Sequence, residues 1–266
     1  MNITEGTTPS SASLTEIFPI LRLLNPGRLA LPGIFSAVIG LAGAYYVIAV
    51  YGLPLWLGTL VVLLALTPVG IVKWREDRLR YGSTVMLLSI VLVTQGVHTI
   101  EHIAQWVQYY VFNLTARQSN GLLSPANAEW VHFIWNWAVL LVVVLLLRGG
   151  MRNIFTYLLL AVAIGHTSEH TYLFVRHLLV LRELRVLDVI CSAQGLPGIF
   201  GRDGWLARSE WTNGTLLGSL PGFTTAMRLD VHFWWNIIEL NLLLFAGHTF
   251  LKKALPAPAQ RQAMAS

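Results

Sequence analysis

The chain has 266 residues, of which 55% are hydrophobic and only 12% charged, with 18 Lys/Arg against 13 Asp/Glu and a net charge of +5. A soluble domain carries about 25% charged residues, and the mean hydropathy here is +0.61, so composition excludes an ordinary water-soluble globular domain. The positive balance comes without a basic, aromatic-interleaved patch, which speaks against a nucleic-acid partner.

In chain order, the opening stretch "MNITEGTTPSSAS" lacks a basic n-region, so no cleaved signal peptide is expected. The proline-broken "LTEIFPILRLLNPGRL" reads as an interfacial element, and residues 1–30 as a cytoplasmic or interfacial segment. About 20 apolar residues cross a ~30 Å hydrocarbon core. Six runs of that kind predict spans at Leu31–Val50, Leu55–Val72, Thr84–Ala104, Trp130–Leu147, Ile154–Phe174 and Val231–Phe250. The expected fold is all-α: a polytopic membrane helix bundle with six transmembrane helices and the lipid bilayer as its first partner. The third and fifth spans continue as "QWVQYY" and "LFVRHLL", which should leave the bilayer at its aromatic boundary. Residues 31–80 form the first helix pair, 81–147 and 148–253 two further units, and 254–266 a tail. A long outer loop, residues 181–230, is rich in Gly and Pro and argues against long helices; a lid and a partner-binding insertion are both open for it.

Loop charges set the orientation. With the N-terminus inside, the inner segments collect eleven of the 18 Lys/Arg and the outer side seven, most of those in the one long loop. Both termini are therefore expected in the cytoplasm, and the location is that of a bacterial inner or plasma membrane. Cys191 stands alone, so neither an internal disulfide nor a CxxC metal pair is available.

The last four spans carry a duplication. "HTIEH" (98–102) and "HTSEH" (166–170) share four of five residues, and "VHFIWN" (131–136) and "VHFWWN" (231–236) share five of six. The order is the same both times, which predicts a parallel internal repeat about an axis along the membrane normal. Within each copy His98/His102 and His166/His170 are four apart on one helical face, with Glu101 and Glu169 on its edge. His132 and His232 open the following helices, so all six histidines should lie at one depth near the outer face.

An acid at the centre of a membrane helix costs about 2.5–3.5 kcal/mol, and two acids with six imidazoles are costly for packing alone. A divalent cation removes that cost, because imidazoles and carboxylates ligate zinc, iron and copper. The expected metal ligands are His98, His102, His132, His166, His170, His232, Glu101 and Glu169, arranged as a dinuclear site, with Glu101 and Glu169 as bridging or acid/base groups. Haem is the lesser cofactor expectation: it needs one imidazole per side and leaves both glutamates unexplained. Asn136 and Asn236, each four residues after a histidine, are expected to orient imidazoles. Glu239 lies on the face of His232, roughly 10 Å deeper, as a proton relay with no counterpart in the first copy, where Val139 stands. His177 continues the face of His170 towards an entrance, and Glu129 and Asp230 suit helix starts. The string HxxEH also matches the inverted zinc-protease pattern, but without the soluble context that chemistry uses.

Three functions follow. The first is a membrane oxidoreductase with iron or copper, taking a lipophilic substrate and an electron donor. The second is a zinc-dependent membrane hydrolase with Glu101 or Glu169 as base. The third is a non-enzymatic metal- or haem-binding accessory subunit of a larger membrane complex.

Overall fold

The computed structural model describes residues 17–189 and 195–255; Cys191 lies outside them. Among these described residues, six long helices make up the frame: α1 (Ala30–Ala49), α2 (Leu55–Tyr81), α3 (Ser83–Tyr110), α4 (Glu129–Arg148), α5 (Ile154–Val186) and α6 (Arg228–Ala254). Among the described residues there is no strand.

Local chemistry explains where the chain breaks. Gly82 separates α2 from α3 alone, at φ 89°, a left-handed conformation that glycine adopts without the Cβ clash. At the start of α5 the Asn153 side chain accepts from the Thr156 amide at 3.1 Å, satisfying one of the free donors of the first turn. Among the described residues, the stretch between α5 and α6 contains only four-residue helices, Trp205–Arg208 and Leu216–Ser219, in keeping with its Gly/Pro content. Both helical continuations are present, α3 running to Tyr110 and α5 to Val186.

Helices α3 to α6 close into a ring in which α3 touches α4 and α6, and α5 touches the same two; α1 packs on α2, and α2 joins the ring through α3. The stretch Leu21–Ala49 together with α2, α3 and α4 gives four helices long and apolar enough to cross a membrane. The most apolar window is 6% buried in the first two and 39% and 28% buried in α3 and α4. The hairpin is thus a pair of helices whose apolar side chains, such as Leu31, Phe35 and Leu64, face outward. Helices α5 and α6 are as long, at 33 and 27 residues, but fall outside that apolar class. The reason is visible in their sequences: α5 carries His166, Glu169 and His170, and α6 carries Asp230, His232 and Glu239.

The ring is divided along its length. One end is filled by Leu88, Leu92, Val143, Leu146, Leu159, Leu243 and Leu251. The short helical turn Leu21–Leu24 tucks under this end, with Leu23 buried among those leucines. Leu23 thereby anchors this turn to the bundle. The other end is polar, and it holds the histidines.

Candidate metal centre

Six imidazoles form one continuous cluster between α3, α4, α5 and α6. Ring centroids lie 4.7 Å apart for His98–His102, 5.4 Å for His98–His132 and 5.6 Å for His102–His132. On the other side His166–His170 are 4.9 Å apart and His170–His232 4.8 Å. The two trios meet where His132 stacks on His170 at 4.9 Å and where His102 approaches His232 at 5.8 Å. Five of the six are buried residues and His98 is partly buried.

Eight of their ring nitrogens lack a hydrogen-bond partner. Nε2 of His98, His102, His132 and His232, and both ring nitrogens of His166 and His170, are buried without a hydrogen bond. Leaving a buried polar group unmatched costs about 1–3 kcal/mol, so eight such atoms in one volume call for an explanation other than packing. His98, His102 and His132 each offer a nitrogen, all within 4.8 Å of one another. Nitrogen ligands sit about 2.0–2.1 Å from zinc, so closing this trio on an ion takes side-chain movements of roughly an ångström. These three histidines could hold a metal ion.

One imidazole is oriented by a chain of amides. His102 Nδ1 is 3.0 Å from Gln105 Oε1, and Gln105 Nε2 donates to Asn127 Oδ1 at 2.6 Å. With the carboxamide oxygen turned to His102, Nδ1 carries the proton and Nε2 keeps the lone pair a metal needs. Deeper in the bundle Gln95 Nε2 donates to Asn236 Oδ1 (3.1 Å) and Glu239 Oε2 (2.9 Å), while its Oε1 accepts from Trp135 Nε1 at 3.1 Å. Glu239 Oε1 lies 3.1 Å from His166 Nδ1 without hydrogen-bond alignment.

The two glutamates of the HxxEH strings face elsewhere. Glu101 accepts from the amides of Leu122 (2.7 Å) and Leu123 (3.0 Å). Glu169 accepts from those of Ile199 (2.9 Å) and Phe200 (3.3 Å). Each carboxylate therefore clasps the loop that follows its helix through backbone amides. A glycine precedes each pair of amides. A Cβ at Gly121 would sit 2.1 Å from Glu101 Oε1, and one at Gly198 would sit 1.8 Å from Glu169 Oε1. The expected placement of Glu101 and Glu169 inside the ligand set differs from this arrangement because each precedes the second histidine by one residue, about 100° around the helix.

Asn136 and Asn236 each donate Nδ2 to the carbonyl four residues back, His132 O and His232 O, both at 2.9 Å. They hold the backbone beneath an imidazole, not the ring itself. Glu129 forms an ion pair with Arg228, and Asp230 accepts from Tyr110 Oη at 2.9 Å. Trp235 stacks on His166 at 5.3 Å and Trp135 leans on His98 at 5.4 Å, whereas Trp130, Trp137 and Trp234 are exposed. His248 sits at the far end beside Phe18.

A cavity of about 890 Å3 leads to the cluster and ends on His102, His132 and His232, with His177, Arg117 and Arg228 among its walls. Gln95, Gln105 and Arg228 escape a motif-based reading of the sequence, since a lone amide or arginine at a helix position carries no spacing signal. The only trace of Gln105 is its position three residues after His102. Compared with protein-family models, curated proteins and solved structures, the chain finds no match.

Proposed function

We propose that this chain is an integral membrane metalloprotein holding a dinuclear, histidine-ligated centre, and that its reaction is an oxidation or reduction. The observation that carries this reading is the set of buried, unpartnered ring nitrogens that face one another. His98, His102 and His132 would hold one ion, and His166, His170 and His232 the other. Bound copper or iron would supply the change of oxidation state. With Glu101 and Glu169 engaged by loop amides, the remaining donors are nitrogen-rich, a set that suits copper and zinc more than the carboxylate-dominated di-iron bundles. Rings 4.7–5.9 Å apart favour point-like ions over haem, which needs a slot wide enough for a macrocycle.

The chain's own groups would hold this site ready. Gln105 fixes the tautomer of His102, the asparagines pin the first turns of α4 and α6, and the glutamates tie down the covering loops. Glu239, beside His166 and bound by Gln95, is placed to take a proton from the deep side of the cluster. In this reading α3 to α6 are two parallel copies, all six long helices cross the bilayer, both termini are cytoplasmic, and the histidines lie near the outer face.

Elemental analysis and an optical spectrum of the detergent-purified protein test the proposal. Two equivalents of copper or iron per chain are expected. Zinc would move the reaction to hydrolysis, a Soret band would point to haem, and a metal-free preparation from metal-replete cells would overturn the reading. Absence of turnover with both ions in place would leave a metal-binding accessory subunit.

A further inference from the structure

We infer that the exchangeable ligand of this centre is a small water-soluble anion that reaches it from the outer aqueous face, rather than a lipophilic molecule from the bilayer; this rests on the metal reading above. Two hollows in the molecule separate these routes. The about 890 Å3 cavity ends on three imidazoles, one each from α3, α4 and α6, and its remaining walls include Gln105, Ser119, Asn120 and Asn127. Such a lining suits a hydrated ligand. A second hollow of about 440 Å3 lies between α4 and α5, against Trp137, Leu140, Ile164 and Val175, and no histidine lines it. Thr167 and Thr171 also line it, and Thr167 donates a hydrogen bond to Asn136 O at 3.2 Å. Indole rings also lie against two of the imidazoles, Trp235 on His166 and Trp135 on His98.

Charge selects the class of ligand. Arg228 and Glu129 are paired with each other, so their charges offset. Arg117 lines the same cavity and is exposed, and the bound cations add positive charge at the closed end. A cleft lined by one sign of charge concentrates the opposite ion.

Sodium azide serves as the probe, read by the optical spectrum of the metal-loaded protein, with copper(II) supplied if the native ion is spectroscopically silent. Azide should perturb the spectrum saturably. Arg117→Glu should raise its apparent Kd about tenfold at low salt and less at high salt, and Ala116→Trp should slow its binding. Ser168→Trp, in the α4–α5 hollow, should do neither. A second readout needs no metal: in a Cys191→Ser background, Ala116→Cys should react with a membrane-impermeant maleimide applied to the outer face, and Ser168→Cys should not. A spectrum that azide leaves unchanged would overturn the inference while the bound metal upholds the centre. So would binding slowed by Ser168→Trp and untouched by the cavity variants. A chain that holds no metal would remove both.

Discussion

The two ends of the four-helix ring contain similar helices and opposite solutions. At the leucine end, Leu88, Leu146, Leu243 and Leu251 are fully or almost fully buried, and the unmatched polar atoms near them include single hydroxyls, Ser89 Oγ and Thr156 Oγ1. At the histidine end, His166, His170, Asn236 and Glu239 are buried as deeply, but ring nitrogens and two carboxylate oxygens, Glu239 Oε1 and Glu129 Oε2, remain unmatched. In a bilayer, lipid tails are as apolar as leucine, so helices associate through close packing and polar contacts rather than through exclusion from water. The leucine end leaves two hydroxyls unmatched, whereas the histidine end concentrates its unmatched nitrogens where they could hold a metal ion.

The largest expected effect removes that capacity. Replacing His102 and His132 together by alanine should abolish binding at the first trio, cutting metal content at least by half and affinity there more than a hundredfold, since even loss of an outer-sphere partner costs 10–100-fold. Elemental analysis reads the result. Thermal unfolding reads its counterpart: added metal at a thousand times its Kd should stabilise the unaltered protein by about 4 kcal/mol and the double variant by much less. Full metal content in that variant would sink the assignment of the trio.

The opposite end gives the next effect. Leu88→Ala leaves a hole at a fully buried position, and buried leucine truncations cost about 2–5 kcal/mol. The lower part of that range is expected here, because lipid removes part of the transfer term. Metal content should stay unchanged. A variant that unfolds no more easily, or that loses its metal, would show that the two ends are not independent.

Glu239→Gln sharpens the comparison at the deep edge of the cluster. The amide keeps a hydrogen-bonding group for Gln95 but removes the carboxylate charge beside His166. A several-fold loss of turnover with metal content preserved is expected from a proton-handling role. Loss of one of the two ions would instead make Glu239 a ligand.

What the sequence reveals follows from where its signals are periodic. The helices are legible because apolar runs of the right length have few alternatives, and the imidazole cluster because two histidine spacings recur in the same order. Ile154–Phe174 reads as an apolar span in the sequence, yet the helix falls outside that class because His166, Glu169 and His170 lower its hydropathy. The roles of Glu101 and Glu169 are not legible, because HxxEH spacing leaves them on the edge of the histidine face, where the loop and the cluster compete for them. What decides it is the later stretches "GLL" (121–123) and "GIF" (198–200), whose amides supply two donors per carboxylate. Gln95 bridges α3 to α6 across a sequence distance no local pattern spans, and Arg228 meets Glu129 in the same way.

Those loop clasps give the smallest effect. Gly198→Ala places a methyl group where the Glu169 carboxylate now sits. Either the side chain or the loop must move, and two amide donors to Glu169 are lost together. A hydrogen bond to a charged group contributes about 1.5–3 kcal/mol, but the freed loop amides can turn to water, so local opening should become easier by only about 1.4 kcal/mol. That corresponds to tenfold faster proteolytic cleavage of the loop after α5 when opening is rapid relative to cutting. Global unfolding and metal content should barely change, because the six imidazoles stand on helices that the loop covers without supporting. Equal cleavage rates for the two proteins would show that Glu169 does not hold this loop, and would return its carboxylate to the competition for the ion.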